Sequence, residues 1–117
     1  MKPAINNFLP LAPATLHILL SLAGEKMYGY AIMQEVARQS DGRYKLGPGT
    51  LYDNLQRLMK SGLVEEVAGR SEDDSSRRRY YRLSGLGRSV LSAEIARLEG
   101  VVTHARVQLK SPQPRRT

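Results

Sequence analysis

Apolar positions along the chain fall into helical stripes broken once by a pair of short extended segments. Behind Pro13 and Thr15, Leu16, Leu19, Leu20 and Ala23 recur at i, i+3, i+4 and i+7, and Gly24 stops the run. Gly29, Ile32, Met33 and Val36 repeat the spacing, which predicts a second helix to about Ser40. Ser40-Asp41-Gly42 is turn chemistry, and residues 43–46 read as a short extended piece. Pro48 suits the first turn of a third helix, because its missing N–H has no partner there. Leu51, Leu55, Leu58 and Met59 share that helix's apolar face, and Ser61-Gly62 ends it. Residues 63–67 and 79–83 read as strands around a polar, glycine-containing stretch, hence a β-hairpin. A last helix is expected from about Ser84 to about Leu109.

Three short helices followed by a hairpin is the order of a winged helix-turn-helix. The predicted fold class is mainly α with a small β-hairpin and an added C-terminal helix. Residues 11–83 form the winged domain in this reading, 84–110 a dimerisation helix, and 111–117 a basic tail expected to be disordered. In such folds the third helix enters the major groove and the hairpin, or wing, lies against the sugar-phosphate backbone.

Charge adds a partner to this picture. The chain of 117 residues carries a formal +7, which invites a polyanion. Residues 106–117 hold +4 of it, a simple solvated end, but residues 69–82 hold +2 inside folded structure. The absence of cysteine removes disulfides, thiolate metal sites and a thiol nucleophile. No apolar run approaches the roughly 20 residues of a membrane span, and residues 1–10 do not read as a signal peptide, so a cytoplasmic protein without membrane association is expected. His17 and His104 stand apart from any metal-ligand or nucleophile pattern. No enzyme chemistry and no cofactor are expected.

Opposite the apolar face of the third helix lie Thr50, Asp53, Gln56, Arg57 and Lys60, with Asn54 at the edge. Arg pairs bidentately with guanine, and Asn or Gln with adenine, so Thr50, Asn54, Gln56 and Arg57 are the candidate base readers. A solvated helix face would show the same residue types. Asp53 suits a cytosine amine or an i,i+4 pair that orients Arg57. Tyr52, between core and groove, serves packing or a phosphate. Gly47 and Gly49 fit either a tight turn or close approach of a phosphate to the helix N-terminus. Arg77, Arg78 and Arg79, with Lys60, are the candidate phosphate contacts; the arginines alternatively pair with Glu72, Asp73 and Asp74.

The last helix carries a second pattern. Leu91, Ile95, Leu98, Val102, Ala105 and Leu109 are spaced 4-3-4-3-4, an a/d seam interrupted near Gly100. Either it packs on the chain's own first helix or it makes a homodimer, and the dimer is the expectation here. Leu86 and Val90 then dock the helix on its own domain.

These residues resemble the PadR-like family of bacterial transcriptional regulators. The matching stretches are Leu19-Leu20 to Tyr28-Gly29-Tyr30-Ala31-Ile32, Gly49-Thr50-Leu51-Tyr52 with Leu55 and Arg57-Leu58, and Gly62-Leu63-Val64. They continue through Arg77-Arg78-Arg79-Tyr80-Tyr81-Arg82-Leu83-Ser84 to Gly87, so the likeness covers about residues 15–95. It implies a dimeric winged helix-turn-helix protein, usually a repressor of double-stranded DNA targets, dimerised by its C-terminal helix. Members are often released by small aromatic or drug-like ligands, which makes a small-molecule effector a candidate partner. Two departures stand out: Asp53 where the family often has proline, and no tryptophan for a ligand to stack on. The single C-terminal helix resembles the smaller subgroup. From the residues alone, a dimeric adaptor for an acidic protein remains the alternative. RNA binding fits less well, because stacking aromatics are not expected on an exposed sheet.

Overall fold

The computed structural model describes residues 4–69 and 79–110. In order they form a short 3-10 helix (Ile5–Phe8), α1 (Pro13–Leu22), β1 (Met27–Tyr28), α2 (Gly29–Gln39) and α3 (Pro48–Lys60). A hairpin of β2 (Val64–Val67) and β3 (Tyr80–Leu83) follows, then the long α4 (Gly85–Lys110). Both α1 and α3 open on proline, as the sequence predicts. At the end of α3, Gly62 adopts φ 81° and its N–H reaches the Met59 carbonyl at 3.1 Å, while the Leu63 N–H reaches Leu58 at 2.9 Å. That pair of bonds is the Schellman stop, and glycine supplies its left-handed residue. After α2 the same two bonds run from Asp41 to Arg38 and from Gly42 to Ala37.

The sheet has three strands, in the order β1-β3-β2, all antiparallel. Where the sequence suggests only a polar turn, Met27 pairs with Tyr81 and Tyr28 with Tyr80. Two residues are too few for alternation to register, so β1 has no periodic signature. Residues 43–46 form no strand; Leu46 is instead a buried core residue. On α1 the buried residues are Ile18, Leu19, Ser21 and Leu22, a broader face than the expected stripe. The reason is that α1 is central, packed between α2, α4 and β3, so it is covered on several sides.

Ser84 starts α4. Its hydroxyl accepts the Gly87 N–H at 2.9 Å and donates to the Gly62 carbonyl, so one side chain caps the helix and fixes it to the end of α3. Val90 and Leu91 then enter the core with Leu19, Leu55 and Leu63. Leu91, expected in the dimer seam, is 5% exposed and packs within its own chain. The first turns of α4 lie over α1 and β3, which covers the face holding residues 87, 90, 91 and 94.

Glu94 ties this helix to the N-terminal segment. Its carboxylate is buried, accepts the Leu11 N–H at 3.1 Å, and takes both a 2.7 Å and a 3.0 Å bond from Arg97. The Arg97 hydrogen bond, joined by the Leu11 N–H, holds the Glu94 pKa below the usual carboxylate value against the opposing effect of burial. A depressed folded-state pKa contributes stability that is present above the unfolded value, about 4.3, and is lost as pH falls through the folded value. Glu94→Gln keeps an acceptor but not the charge. It should cost about 1 kcal/mol at pH 7, since Arg97 is partly screened by solvent. Urea titrations from pH 7 to pH 3 should show the gap between variant and wild type closing toward the acid end. A constant gap would mean that the carboxylate does not titrate with folding.

Candidate nucleic-acid interface

α3 is held by one face and open on the other. Leu51, Leu55 and Leu58 are buried, whereas Thr50, Tyr52, Asp53, Gln56, Arg57 and Lys60 are exposed. Asp53, Gln56, Arg57 and Lys60 line one shallow depression with Met59. Among the described residues no ion pair engages Arg57 or Lys60, so both cations face solvent with their charge uncommitted. Of the two roles open to Asp53, the i,i+4 pair with Arg57 is not among the ion pairs of the described residues.

Asn54, expected among the base readers, is turned into the domain. It is 8% exposed, donates from Nδ2 to the Thr50 carbonyl at 2.9 Å, and accepts from Thr15 Oγ1 at 3.3 Å. The buried face of α3 reaches past its leucines to the side that meets α1, and Asn54 is the polar group that satisfies that contact. It does not face the groove side.

Tyr52 is 45% exposed, and its hydroxyl lies where a Cβ on Gly29 would be, 2.1 Å away. Gly29 therefore lets the start of α2 accept the ring, a packing role that leaves the rim of the tyrosine on the open face. The sequence shows both residues but not that they meet. Gly47 and Gly49 have no positive φ, and a Cβ on either would meet nothing within 4 Å. Glycine is not demanded by a tight turn at these positions, which leaves room at the exposed N-terminus of α3.

The wing is joined to α3 through β2. Burial pushes the Tyr81 hydroxyl above its ordinary pKa, with Tyr52 and Glu66 adding to the effect and Arg79 opposing it. Arg79 is exposed and lies 3.9 Å from Glu66, a loose pair that leaves its guanidinium accessible. Arg82 is held more closely by Glu65, at 3.0 Å on the opposite face of the hairpin. Lys26, which sequence reasoning passed over, donates to the Ala68 carbonyl at 2.9 Å and sits 5.5 Å above the Tyr80 ring. It ties β1 to the base of the wing. Arg77 and Arg78 lie outside the described residues, as does the 111–117 tail.

The expected dimer residues beyond Leu91 all lie on the outer part of α4. Ile95, Val102 and Leu109 are 39%, 47% and 82% exposed, Ala105 is exposed, and Leu98 is half-buried. No helix of the described residues is long and apolar enough to cross a membrane, and no group of three metal-ligating side chains occurs among them.

Known proteins give this arrangement a place. The sequence model of the Transcriptional regulator PadR-like family matches residues 18–93. Transcriptional regulator Rv3488 of Mycobacterium tuberculosis is 36% identical over 88 residues, covering 75% of this chain and 78% of that protein. A PadR-like transcription factor of Bacteroides fragilis superposes with a TM-score of 0.58 at 31% identity, over 78% of this chain and 87% of that one. The fold is also that of a PadR family transcription regulator of Clostridium difficile, with a TM-score of 0.67 at 24% identity over 84% and 99% of the two chains. With its helix-turn-helix, three-stranded winged sheet and long terminal helix, the chain belongs to the PadR-like family of transcriptional regulators.

Proposed function

We propose that the chain binds double-stranded DNA sequence-specifically as a homodimer and represses transcription. One observation carries the reading: a single exposed face of α3 sets Gln56, Arg57 and Lys60 side by side, the two cations unpaired, and Arg79 stands exposed just before β3. Such a face suits a major groove, with Gln56 and Arg57 at base edges, Thr50 and Tyr52 at its margins, and Lys60 and Arg79 on phosphates. Asn54 is withdrawn from the base readers, because its side chain is spent inside the domain. Arg77 and Arg78 stay in the proposal as wing contacts on their sequence alone. The repressor sign and release by a small ligand follow the family resemblance. This chain has no tryptophan, so aromatic stacking of an effector would need its tyrosines or Phe8.

Arg57→Ala tests the reading directly. Against a library of operator variants, discrimination should fall by about 1–3 kcal/mol at one position in each half-site, with random DNA affected much less. Both half-sites should suffer alike, since a two-fold dimer presents α3 twice, about one turn of duplex apart. Uniform loss across the library would make Arg57 a phosphate clamp. No loss at all would place the reading face elsewhere.

A further inference from the structure

One acid stands among the cations on the open face of α3. The buried residues of this helix, Leu51, Asn54, Leu55 and Leu58, face one way about its axis. At about 100° per residue, Asp53, Gln56 and Lys60 project within about 30° of the opposite direction, and Arg57 stands to one side. Asp53 is exposed and shares the shallow depression with Gln56, Arg57, Met59 and Lys60. Among the described residues no ion pair includes it. It sits in the second turn of α3, and a recognition helix meets base edges through its N-terminal residues. Phosphates repel a carboxylate, so only a donor on a base edge can reward one in this place. We propose that Asp53 reads a cytosine in each half-site, its carboxylate accepting the groove-side N4 proton of that base. This rests on the DNA-binding reading above and specifies the base.

Groove chemistry selects cytosine. In the major groove only cytosine N4 and adenine N6 donate, whereas guanine O6 and N7 and thymine O4 are acceptors that a carboxylate meets with repulsion. The adenine amine stands between two acceptors, its own N7 and the O4 of the paired thymine. A carboxylate bonded to it sets its second oxygen against a lone pair on either side. The cytosine amine has such an acceptor on one side only, the paired guanine O6, and a C5–H on the other. Arg57 stands one turn further along, about 6 Å of rise, so the guanine it takes lies within about two base pairs of this cytosine. The guanidinium there also offsets the negative charge brought into the groove. At a wrong site the same carboxylate finds acceptors and phosphates, so it penalises random DNA as well as favouring the operator. Asp53 departs from the proline common in the family at this position, so the cytosine is a mark of this chain's own operator.

Selection from a randomised duplex library, by wild type, Asp53→Ala and Asp53→Asn, reads the assignment. Wild type should retain cytosine at one position in each half-site, by about tenfold or more over the other bases. Asp53→Ala should lose that preference at that position alone. It should also bind random duplex about twofold to fivefold tighter, a gain that shrinks as salt rises. Asp53→Asn should move the preference toward adenine, which its amide pairs bidentately. A second measurement alters only the DNA. N4-methylcytosine at that position keeps the pairing proton but sets a methyl group where the groove proton was. It should weaken wild type about tenfold and Asp53→Ala no more than about twofold. A selected operator with no fixed cytosine, or one whose preferences survive Asp53→Ala, would overturn the assignment while leaving DNA binding intact. Uniform tightening by Asp53→Ala with unchanged preferences would overturn it too, and leave the carboxylate a purely repulsive group. A wild-type protein that enriches no sequence would remove the DNA-binding reading itself.

Discussion

Gly87→Ala should destabilise the fold by about 3 kcal/mol or more, the cost of forcing an atom into a packed backbone contact. A Cβ at Gly87 would lie 2.0 Å from the Leu63 carbonyl oxygen, 3.0 Å from its carbon and 3.3 Å from its Cα. None of these is the end of a flexible side chain. The Leu63 carbonyl also accepts the Ser84 N–H at 3.0 Å, and the Leu63 N–H closes the end of α3, so neither strand nor helix can retreat without breaking a cap. Gly100→Ala is the control: a Cβ there meets nothing within 4 Å, and alanine in mid-helix should stabilise by up to about 1 kcal/mol. Urea unfolding compares them. A Gly87→Ala variant within about 1 kcal/mol of wild type would mean that α4 slides freely on the β2 entry, contrary to the geometry.

The second large effect falls on assembly rather than on folding. Leu98 is half-buried in its own chain and lies outside the core cluster, so Leu98→Asp should leave the monomer folded. Two copies packed through α4 would each bury that carboxylate without a partner, at roughly 3 kcal/mol or more per dimer. The expected result is a helical monomer at concentrations where wild type is dimeric, seen by light scattering beside far-ultraviolet circular dichroism. A variant still dimeric with unchanged stability would exclude the seam as the interface. Leu91→Asp makes the contrast: Leu91 is buried with Leu19 and Leu55, so that change should unfold the chain itself.

Much of this was legible in the sequence, for reasons that differ from element to element. α2, α3 and α4 announce themselves because each has one buried face and firm ends, such as Pro48 and Gly62 for α3. α1 shows less, since burial on several sides blurs a stripe, and Ile18 and Leu22 sit in the core outside the expected face. β1 has too few residues to show a period. The open face of α3 follows from its leucines by rotation alone, and Gln56, Arg57 and Lys60 lie where that rotation places them. Asn54 does not, because the width of a buried face depends on which neighbour covers its edge, here Thr15 of α1. Leu91 fails in the same way: the 4-3 spacing continues through it, but spacing does not say where intramolecular packing stops and a free stripe begins. The meeting of Gly29 with Tyr52, and of Lys26 with the wing, are long-range contacts that no local pattern encodes.

Sequence-specific DNA binding is open to a direct competition titration. Labelled duplex from upstream of the chain's own gene is bound by the purified protein, then challenged with unlabelled duplex of the same or of random sequence at fixed salt. The cognate duplex should compete at least about a thousandfold better than random DNA. Footprinting should show protection of a two-fold repeat with half-sites about one helical turn apart. Equal competition by random duplex, for this fragment and for a library of selected sequences, would contradict sequence-specific binding and leave a basic dimeric adaptor in its place.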